Sequence, residues 1–449
     1  MDEEKSRDEA IKFVTETVHG SDVRFVRLWF TDILGNLKGV ALNVAELENS
    51  LRDGMTFDGA SIGAIARSEE SDLVLIPDPS TFKVLPWRPS DSAVGKMFCD
   101  VYRPDGTPHL GDPRAILKSN LEKAYQLGYT FLLSPETEYY YFKNSCSTEI
   151  LDSAGYFDQT ASDIGTELRR ETVLALEDIG IPVEYSHHEV SPSQHEINLR
   201  HTDALTMADN VMTYKLAVKE IAQKHGIHAS FMPKPIEGLH GNGMHVNMSL
   251  FKGEVNEFYK DGGTSEDFIS DTAKYFIAGL MKHAKEITAV TNQWVNSYKR
   301  IVSGYEAPGH ISWSRLNRGD LIRVPSYRKG REKSVRIEYR APDSACNPYL
   351  VFSVILAAGL SGIVNKYDVP MPVDQDINKI DQSQRVSENI ESLPTNLSEA
   401  LHYFENSELM YNCLGEDAFN NFIKNKKLEW TEYSRHVSSY EIDKYLPML

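Results

Sequence analysis

Cysteine is scarce in this chain: Cys99, Cys146, Cys346 and Cys413 are the only four among 449 residues, and none forms a Cys-x-x-Cys pair. That excludes a disulfide framework or a thiolate zinc site and points to a reducing compartment. Positive charge is also short, with 47 Lys and Arg against 65 Asp and Glu and a net charge of −18. A general nucleic-acid binder needs a basic surface, so that class is excluded. The longest apolar run, residues 349–360, is too short to span a bilayer and reads as a buried helix. The first residues, Met1-Asp2-Glu3-Glu4-Lys5, are charged where a signal peptide carries its apolar core. Internal repeats and low-complexity tracts are not evident. These absences lead to the expectation of a soluble cytoplasmic protein, long enough for more than one domain.

The pattern of the chain divides it in two. A helix through residues 8–14 precedes Val23-Arg24-Phe25-Val26-Arg27-Leu28-Trp29-Phe30, which alternates like a strand. Asp32-Ile33-Leu34-Gly35-Asn36 reads as a turn and residues 37–42 as the returning strand. More short strands follow to about Tyr102, which makes a small β-rich domain. Pro104-Asp105-Gly106-Thr107-Pro108 is rich in turn formers, and the boundary is set there, giving domains over 1–107 and 108–449. Beyond it, Asp112-Pro113 reads as a helix cap plus first-turn proline, with Gly128 closing that helix. Helices are expected over 163–178, 204–225, 266–288 and 348–365, alternating with polar-bearing strands. That describes an α+β catalytic domain. The polar stretch 374–398 is expected to be a surface excursion.

The most informative local feature is Leu132-Leu133-Ser134-Pro135-Glu136-Thr137-Glu138-Tyr139-Tyr140-Tyr141-Phe142. On a strand, Glu136 and Glu138 point to the same face. Two neighbouring carboxylates in an apolar strand repel, and Arg, water or a metal must compensate. A lone Glu-x-Glu is more often a solvent-facing edge, but three further strands carry the same kind of face. Glu184-Tyr185-Ser186-His187-His188-Glu189 and Gln194-His195-Glu196 flank a proline turn that can return Glu189 and Glu196 to one site. His245, Asn247 and Ser249 share a face after the Gly241-Asn242-Gly243 loop, and Arg336, Glu338 and Arg340 share another. Singly, His187, His188 and His195 read as hydrogen-bonded strand residues, and Arg336-x-Glu338-x-Arg340 could be an ion-pair ladder. Taken together, many carboxylates, one or two imidazoles and no thiolate suit a hard divalent ion such as Mg²⁺ or Mn²⁺. Arginines beside them can hold carboxylate or phosphate oxygens, a combination that phosphoryl transfer needs.

At this level of detail the chain resembles the type I glutamine synthetases over nearly its whole length. The resemblance rests on Phe57-Asp58-Gly59-Ala60-Ser61-Ile62, Pro135-Glu136-Thr137-Glu138, Ser186-His187-His188-Glu189, Phe231-Met232-Pro233-Lys234-Pro235, Gly243-Met244-His245, Asn296-Ser297-Tyr298-Lys299-Arg300, Gly304-Tyr305-Glu306-Ala307-Pro308, Asn317-Arg318 and Asn347-Pro348-Tyr349-Leu350. It implies a small N-terminal β-grasp-like domain and a glutamine synthetase/guanido kinase-like catalytic domain with a curved antiparallel sheet flanked by helices. It implies ATP-dependent ligation of ammonia to L-glutamate through a γ-glutamyl phosphate. It also implies two or more Mg²⁺ or Mn²⁺ ions per site, one held by Glu138, Glu189 and Glu196 and another by Glu136, His245 and Glu338.

The same resemblance assigns ATP contacts to Glu184, Ser249, Arg318, Arg323, Lys333 and Arg336. It assigns glutamate contacts to His240, Gly241, Arg300, Glu306, Arg318 and Arg340. Asp58, Ser61, Tyr156 and Glu189 would form the ammonium site, and Asp58, Glu306 and Arg318 would be catalytic, Glu306 on a flap that shields the acyl phosphate from water. In the family Asp58 reaches a neighbouring subunit within a homododecamer of two hexameric rings, and the tail 441–449 resembles the segment that joins the rings.

Some positions depart from the family pattern. His240 stands where Asn is usual, which affects the side-chain part of a glutamate contact. Asp374-Gln375-Asp376-Ile377-Asn378 lacks the tyrosine that one subclass modifies with AMP, so no adenylylation is expected and the chain resembles the unadenylylated alpha-type subclass. Arg67 matches an arginine linked there to glutamine feedback, against the plain alternative of a surface arginine. A PII-type regulatory protein or 2-oxoglutarate could be partners by the same analogy. Two other functions compete with this reading: a γ-glutamyl ligase for a polyamine or alkylamine, and an inactive ring protein.

Overall fold

A computed structural model describes residues 2–63, 72–160, 163–264, 267–301, 307–373 and 375–449. Arg67 and Glu306 lie outside the described residues. The N-terminal part runs through α1 (Asp2–Gly20), β1 (Val23–Thr31), β2 (Leu37–Asn43), α2 (Leu47–Asp53), β3 (Met55–Asp58), β4 (Asp72–Pro77), β5 (Lys83–Val84) and β6 (Ala93–Tyr102). Among the described residues these strands make one sheet in the order β2-β1-β6-β4-β3, with β5 on β6. Its β1–β6 pair is parallel. One face buries Val26, Leu28, Leu75, Met97 and Val101 beneath Val14 and Val18 of α1. The other face sends Trp29, Ile33, Leu85, Trp87 and Phe98 into the larger core of the remaining chain. Arg114 crosses the same junction, fully buried, pairing with Asp78, Asp100 and Asp209.

The larger part runs through α3 (Pro113–Gln126), β7 (Thr130–Phe142), α4 (Gly165–Asp178), β8 (Val183–His188), β9 (Gln194–Leu199), β10 (Thr202–Asp203), α5 (Ala204–Lys224), β11 (His228–Ser230), β12 (Met244–Lys252) and β13 (Val255–Asn256). It continues through α6 (Asp271–Lys282), α7 (Ala284–Thr291), β14 (Trp313–Ser314), β15 (Ile322–Arg323), β16 (Ile337–Tyr339), α8 (Pro348–Asn365), α9 (Gln382–Ser387), α10 (Leu397–Glu405), α11 (Glu408–Leu414), α12 (Glu416–Arg435) and α13 (Ser439–Tyr445). Its sheet has the order β14-β15-β16-β12-β7-β9-β8, with β10 and β11 also on β7 and β13 on β12. The pairings are antiparallel except β14–β15. The fold is therefore α+β, a small domain joined to a large one built on a long sheet with helices.

The local signals that end elements act as their chemistry dictates. The Asp112 carboxylate accepts from Arg114 N, Pro113 occupies the first turn of α3, and Gly128 takes a φ of +84°. Asn347 caps α8 by accepting from Tyr349 N. Although α8 is long and apolar enough to cross a membrane by composition, most of it is buried against α3, α5, α6, α7 and α11. Glycine allows α8 its closest neighbour: a Cβ on Gly279 of α6 would meet Ala358 O at 2.2 Å.

One expectation needs correction, and one gains detail. The helix expected over 266–288 is two helices, and Glu266 lies outside the described residues. His283 ends α6 and begins α7, its ring held by Glu286 at 2.9 Å and by Ser361. The 374–398 excursion is pinned as well as polar. Ile377, Ile380 and Leu393 are buried, and Ile311 N donates to Glu391 O at 2.7 Å.

Candidate functional site

The site is assembled by sheet register. Across β12, β7 and β9, His245 lies opposite Glu136 and Glu136 opposite Asn198. One step along, Glu138 faces Glu196 on β9, and Glu196 faces His187 on β8. Glu338 of β16 sits opposite Asn247 of β12. Because side chains two apart on a strand share a face, these rows project onto one face of the sheet. The polar residues come from strands whose opposite face packs the core, including Leu133, Ile197, Val246 and Ile337.

One half of the site is Glu136, His245 and Glu338, each with a ligand atom within 4.8 Å of the others. His245 Nδ1 stands 3.5 Å from Glu136 Oε2 and 3.8 Å from Glu338 Oε1. Arg340 donates to Glu338 Oε1, and Arg323 donates to its other oxygen at 2.7 Å. Burial alone would raise the Glu338 carboxyl, but Arg340 and Arg323 outweigh it and hold it below the usual range. Burial and Arg340 push His245 well below the ordinary imidazole range, so its ring is neutral and free to act as a ligand. Asn247 bridges outward, donating to Glu136 Oε1 at 3.0 Å and accepting from Arg336 Nε at 2.8 Å.

The other half is His187, Glu189 and Glu196, again within 4.8 Å of one another. His187 stands 3.4 Å from Glu189 Oε1 and 3.3 Å from Glu196 Oε1. His187 is the ion-pair partner that both carboxylates share. Burial, then Glu138 and Glu196, push the Glu189 carboxyl up; burial, then Glu136 and Glu138, do the same to Glu196. Tyr156 closes this side, its ring 5.5 Å from that of His187 and under the Arg318 guanidinium at 5.9 Å.

Glu138, expected with Glu189 and Glu196, stands close enough to raise both carboxyls. It shares the row with Glu196, but its Oε2 accepts from Gly243 N at 2.6 Å and from Gln194 Nε2 at 3.3 Å. His187 is the third member of the cluster with Glu189 and Glu196. Burial raises the Glu138 carboxyl despite Arg300 nearby.

Two clefts flank the halves. The first is lined by Glu136, Glu184, Ser249, Lys333 and Arg336, with Arg331 beside them. Ser249 Oγ donates to Val335 O, and Lys333 pairs with Glu254 at the rim. The second is lined by Glu138, Glu189, His240, Gly241, Arg300 and Arg340. Arg300 is buried and donates to the carbonyls of Ala341 and Arg340 at 2.7 and 3.2 Å. Gly241 has no alternative, since a Cβ there would lie 2.4 Å from Pro233 O. His240 is fixed by its backbone, whose N–H donates to Ser191 Oγ at 2.9 Å and whose carbonyl accepts from Tyr140 at 2.7 Å.

Asp58 and Ser61 are not brought into this constellation. Asp58 accepts from Ala60 N at 2.9 Å, and Ser61 donates to Asp58 O, so both are engaged within their own exposed loop. Two contributors stand out only in three dimensions. His187, as a lone strand histidine, read as structural. Gln194, whose amide donates to Glu138, Gly241 O and Asn242 Oδ1, had no signal beyond its position before His195-Glu196.

Comparison with known proteins agrees with this architecture. Residues 22–104 match the family model "Glutamine synthetase, beta-Grasp domain", and residues 110–445 match "Glutamine synthetase, catalytic domain". The glutamine synthetase of Mycolicibacterium smegmatis is 48% identical over 447 residues, covering 98% of this chain and 100% of that protein. That of Methanosarcina mazei is 47% identical, with 97% of each chain covered. Among solved structures, a GmaS–ADP complex matches with a TM-score of 0.88 at 32% identity, covering 97% of this chain and 99% of that one. The cryo-EM structure of Plasmodium falciparum glutamine synthetase matches with a TM-score of 0.87 at 27% identity, covering 98% of both. With both models matched in order and nearly half of all positions identical from end to end, the chain belongs to the glutamine synthetase family.

Proposed function

We propose that this chain is an ATP-dependent glutamate–ammonia ligase that forms glutamine, ADP and phosphate through a γ-glutamyl phosphate. The observation that carries the reading is the pair of carboxylate–imidazole clusters side by side on one sheet face, between two clefts of different character. Their donor set, carboxylate oxygens with neutral imidazole and no thiolate, fits Mg²⁺ or Mn²⁺. Glu136, His245 and Glu338 would hold one ion and Glu189 and Glu196, with Glu138 or His187, another. Such ions supply charge neutralisation for the transferring phosphoryl group.

The remaining work falls to the chain itself. Glu184, Ser249, Lys333, Arg336 and Arg323 would seat ATP, with Arg318 reaching toward its phosphates. Arg300, Arg340, Gly241 and His240 would orient glutamate, the two arginines answering its carboxylate charge. Glu189, Tyr156, Ser61 and Asp58 would attract ammonium, and Asp58 would take its proton to free the nucleophile. Glu306 would help exclude water from an acyl phosphate that hydrolyses easily.

We infer a homo-oligomer, and within it a dodecamer of two six-membered rings with active sites between subunits. The exposed Asp58 loop supports a site shared across subunits. The tail α13, with Tyr440, Ile442 and Leu446 exposed, supports ring pairing. We place the domain boundary at residues 107 and 108 and the protein in the cytoplasm. Feedback by glutamine through Arg67, and control by a PII-type protein or 2-oxoglutarate, belong to the same reading. Arg67→Ala should flatten the glutamine inhibition curve, and an unchanged curve removes that role. The test of the whole is an assay of glutamine and phosphate from glutamate, ATP and Mg²⁺, with ammonium or methylammonium as donor. Equal glutamine and phosphate with ammonium supports the reading; turnover with the alkylamine alone, or none at all, overturns it.

A further inference from the structure

Behind the Glu189–Glu196 half lies another group of metal-ligating residue types: Asp152, Asp163, His188 and His195, all buried, with ligand atoms within 4.8 Å of one another. A cation already stands there. Arg169 donates to Asp163 Oδ2 at 2.8 Å and to His195 Nδ1 at 2.6 Å, so the guanidinium does what an ion would do. The Asp152–His188 pair is different. One carboxylate oxygen, Asp152 Oδ1, accepts from His188 Nε2 at 3.0 Å, from Ser193 N at 3.0 Å and from Ala154 N at 3.1 Å. These donors come from the end of β8, from the β8–β9 turn and from the loop that leads to Tyr156. The opposite ring nitrogen of His188 faces Glu189 O at 2.7 Å.

The stitching continues on both sides. Ser193 adopts a left-handed φ of 63°, its Oγ accepting from Leu151 N at 2.6 Å and its carbonyl from Tyr141 N at 3.0 Å. Phe157 N donates to His188 O at 3.2 Å, which sets the Tyr156 and Phe157 rings against His187. Glu189 N donates to Gln194 O at 2.8 Å, so the Glu189 peptide is held from both sides. Three segments thus converge on one buried oxygen, and each carries a group of the same half of the site.

We propose that Asp152, acting through His188, is the positioning residue of the ammonium side, fixing Glu189 and Tyr156 relative to each other. The role assigned to these two groups rests on the proposed function. Asp152 contacts none of the reacting groups. Its effect is on where they stand, as an outer-shell carboxylate orients the residues in front of it.

The test uses the full-length oligomer with two variants. Asp152→Asn keeps an acceptor for the backbone N–H groups and loses the charge facing His188. His188→Gln keeps a donor toward Asp152 and loses the one at Glu189 O. Mn²⁺ binding is measured by calorimetry without nucleotide, beside the KM for ammonium and for ATP and the thermal midpoint. Each variant is expected to weaken one class of Mn²⁺ binding and raise the ammonium KM, both by roughly tenfold, with the ATP KM unchanged. Variants that melt earlier yet bind Mn²⁺ and ammonium as wild type does, or that shift both KM values equally, overturn the proposal, and one folded variant suffices to decide. If the wild type makes no glutamine from ammonium, the functional reading fails, whereas the Mn²⁺ measurement still judges the positioning role.

Discussion

Around Glu338 stand Arg340, Arg323 and a neutral His245; around Glu189 and Glu196 stand His187 and further carboxylate. The same residue types therefore meet opposite electrostatic surroundings within one sheet face. Glu338 stays ionised without help from solvent, because two guanidinium groups offset its burial. Glu189 and Glu196 lack that offset: burial, Glu138 and Glu196 raise the first, and burial, Glu136 and Glu138 raise the second. They must hold a proton or a cation, since buried like charges cannot both remain bare. One half is preorganised as charge, and the other becomes charged only when a cation arrives and protons leave.

The sharpest way to break this contrast is to delete one carboxylate from each half. Glu338→Ala strands Arg340 and Arg323, and should abolish activity and cost about 3–5 kcal/mol of stability. Glu196→Gln removes a repelling charge, so in the presence of a chelator its thermal midpoint should match or exceed wild type while activity is lost. Thermal scans of the two chelated variants settle it, and parallel destabilisation would contradict the contrast.

The next largest effect concerns pH. A carboxylate raised in the folded protein holds protons that the unfolded chain has released. Stability from Glu189 and Glu196 is therefore full below their ordinary value of 4.5 and falls as pH rises toward the shifted one. Mg²⁺ replaces those protons, so the rise in thermal midpoint on adding Mg²⁺ should grow from about pH 6 to about pH 8. The lowered Glu338 behaves inversely, its contribution persisting above 4.5 and fading only as pH falls below it. A Mg²⁺ effect independent of pH would remove the proton-linked half from the account.

A smaller effect separates neighbours. Glu136→Ala should raise mainly the ATP KM, whereas Glu138→Ala should raise mainly the glutamate and ammonium KM. Equal effects on ATP would erase the division. Glu138→Ala also frees Gly243 N, so it should disturb the glycine loop that Glu138 holds. The smallest effect is expected for His240→Asn. Its backbone is tied at both N–H and carbonyl whichever side chain it carries, and the glutamate KM should change less than roughly tenfold.

Much of this was legible in the sequence because its signals are local. Alternation around Glu136 and Glu138, the Asp112-Pro113 cap and the apolar run of α8 each depend on neighbours a few residues away. The grouping of Glu136, His245 and Glu338 came from the family resemblance rather than from spacing. What was not legible depends on partners distant in the chain. His187 meets Glu189 and Glu196 only once β8 pairs with β9, which no spacing reveals. Gln194 and Asp152 matter through contacts with segments 36 to 56 residues away.

The most direct test of two electrostatically distinct cation half-sites is a Mn²⁺ titration of the nucleotide-free oligomer, wild type against Glu196→Gln and Glu136→Gln, with proton release recorded. The account predicts two binding classes per subunit in wild type. Glu196→Gln should lose the class that releases protons, and Glu136→Gln the class that does not. A single class, or loss of both classes together in either variant, would contradict it.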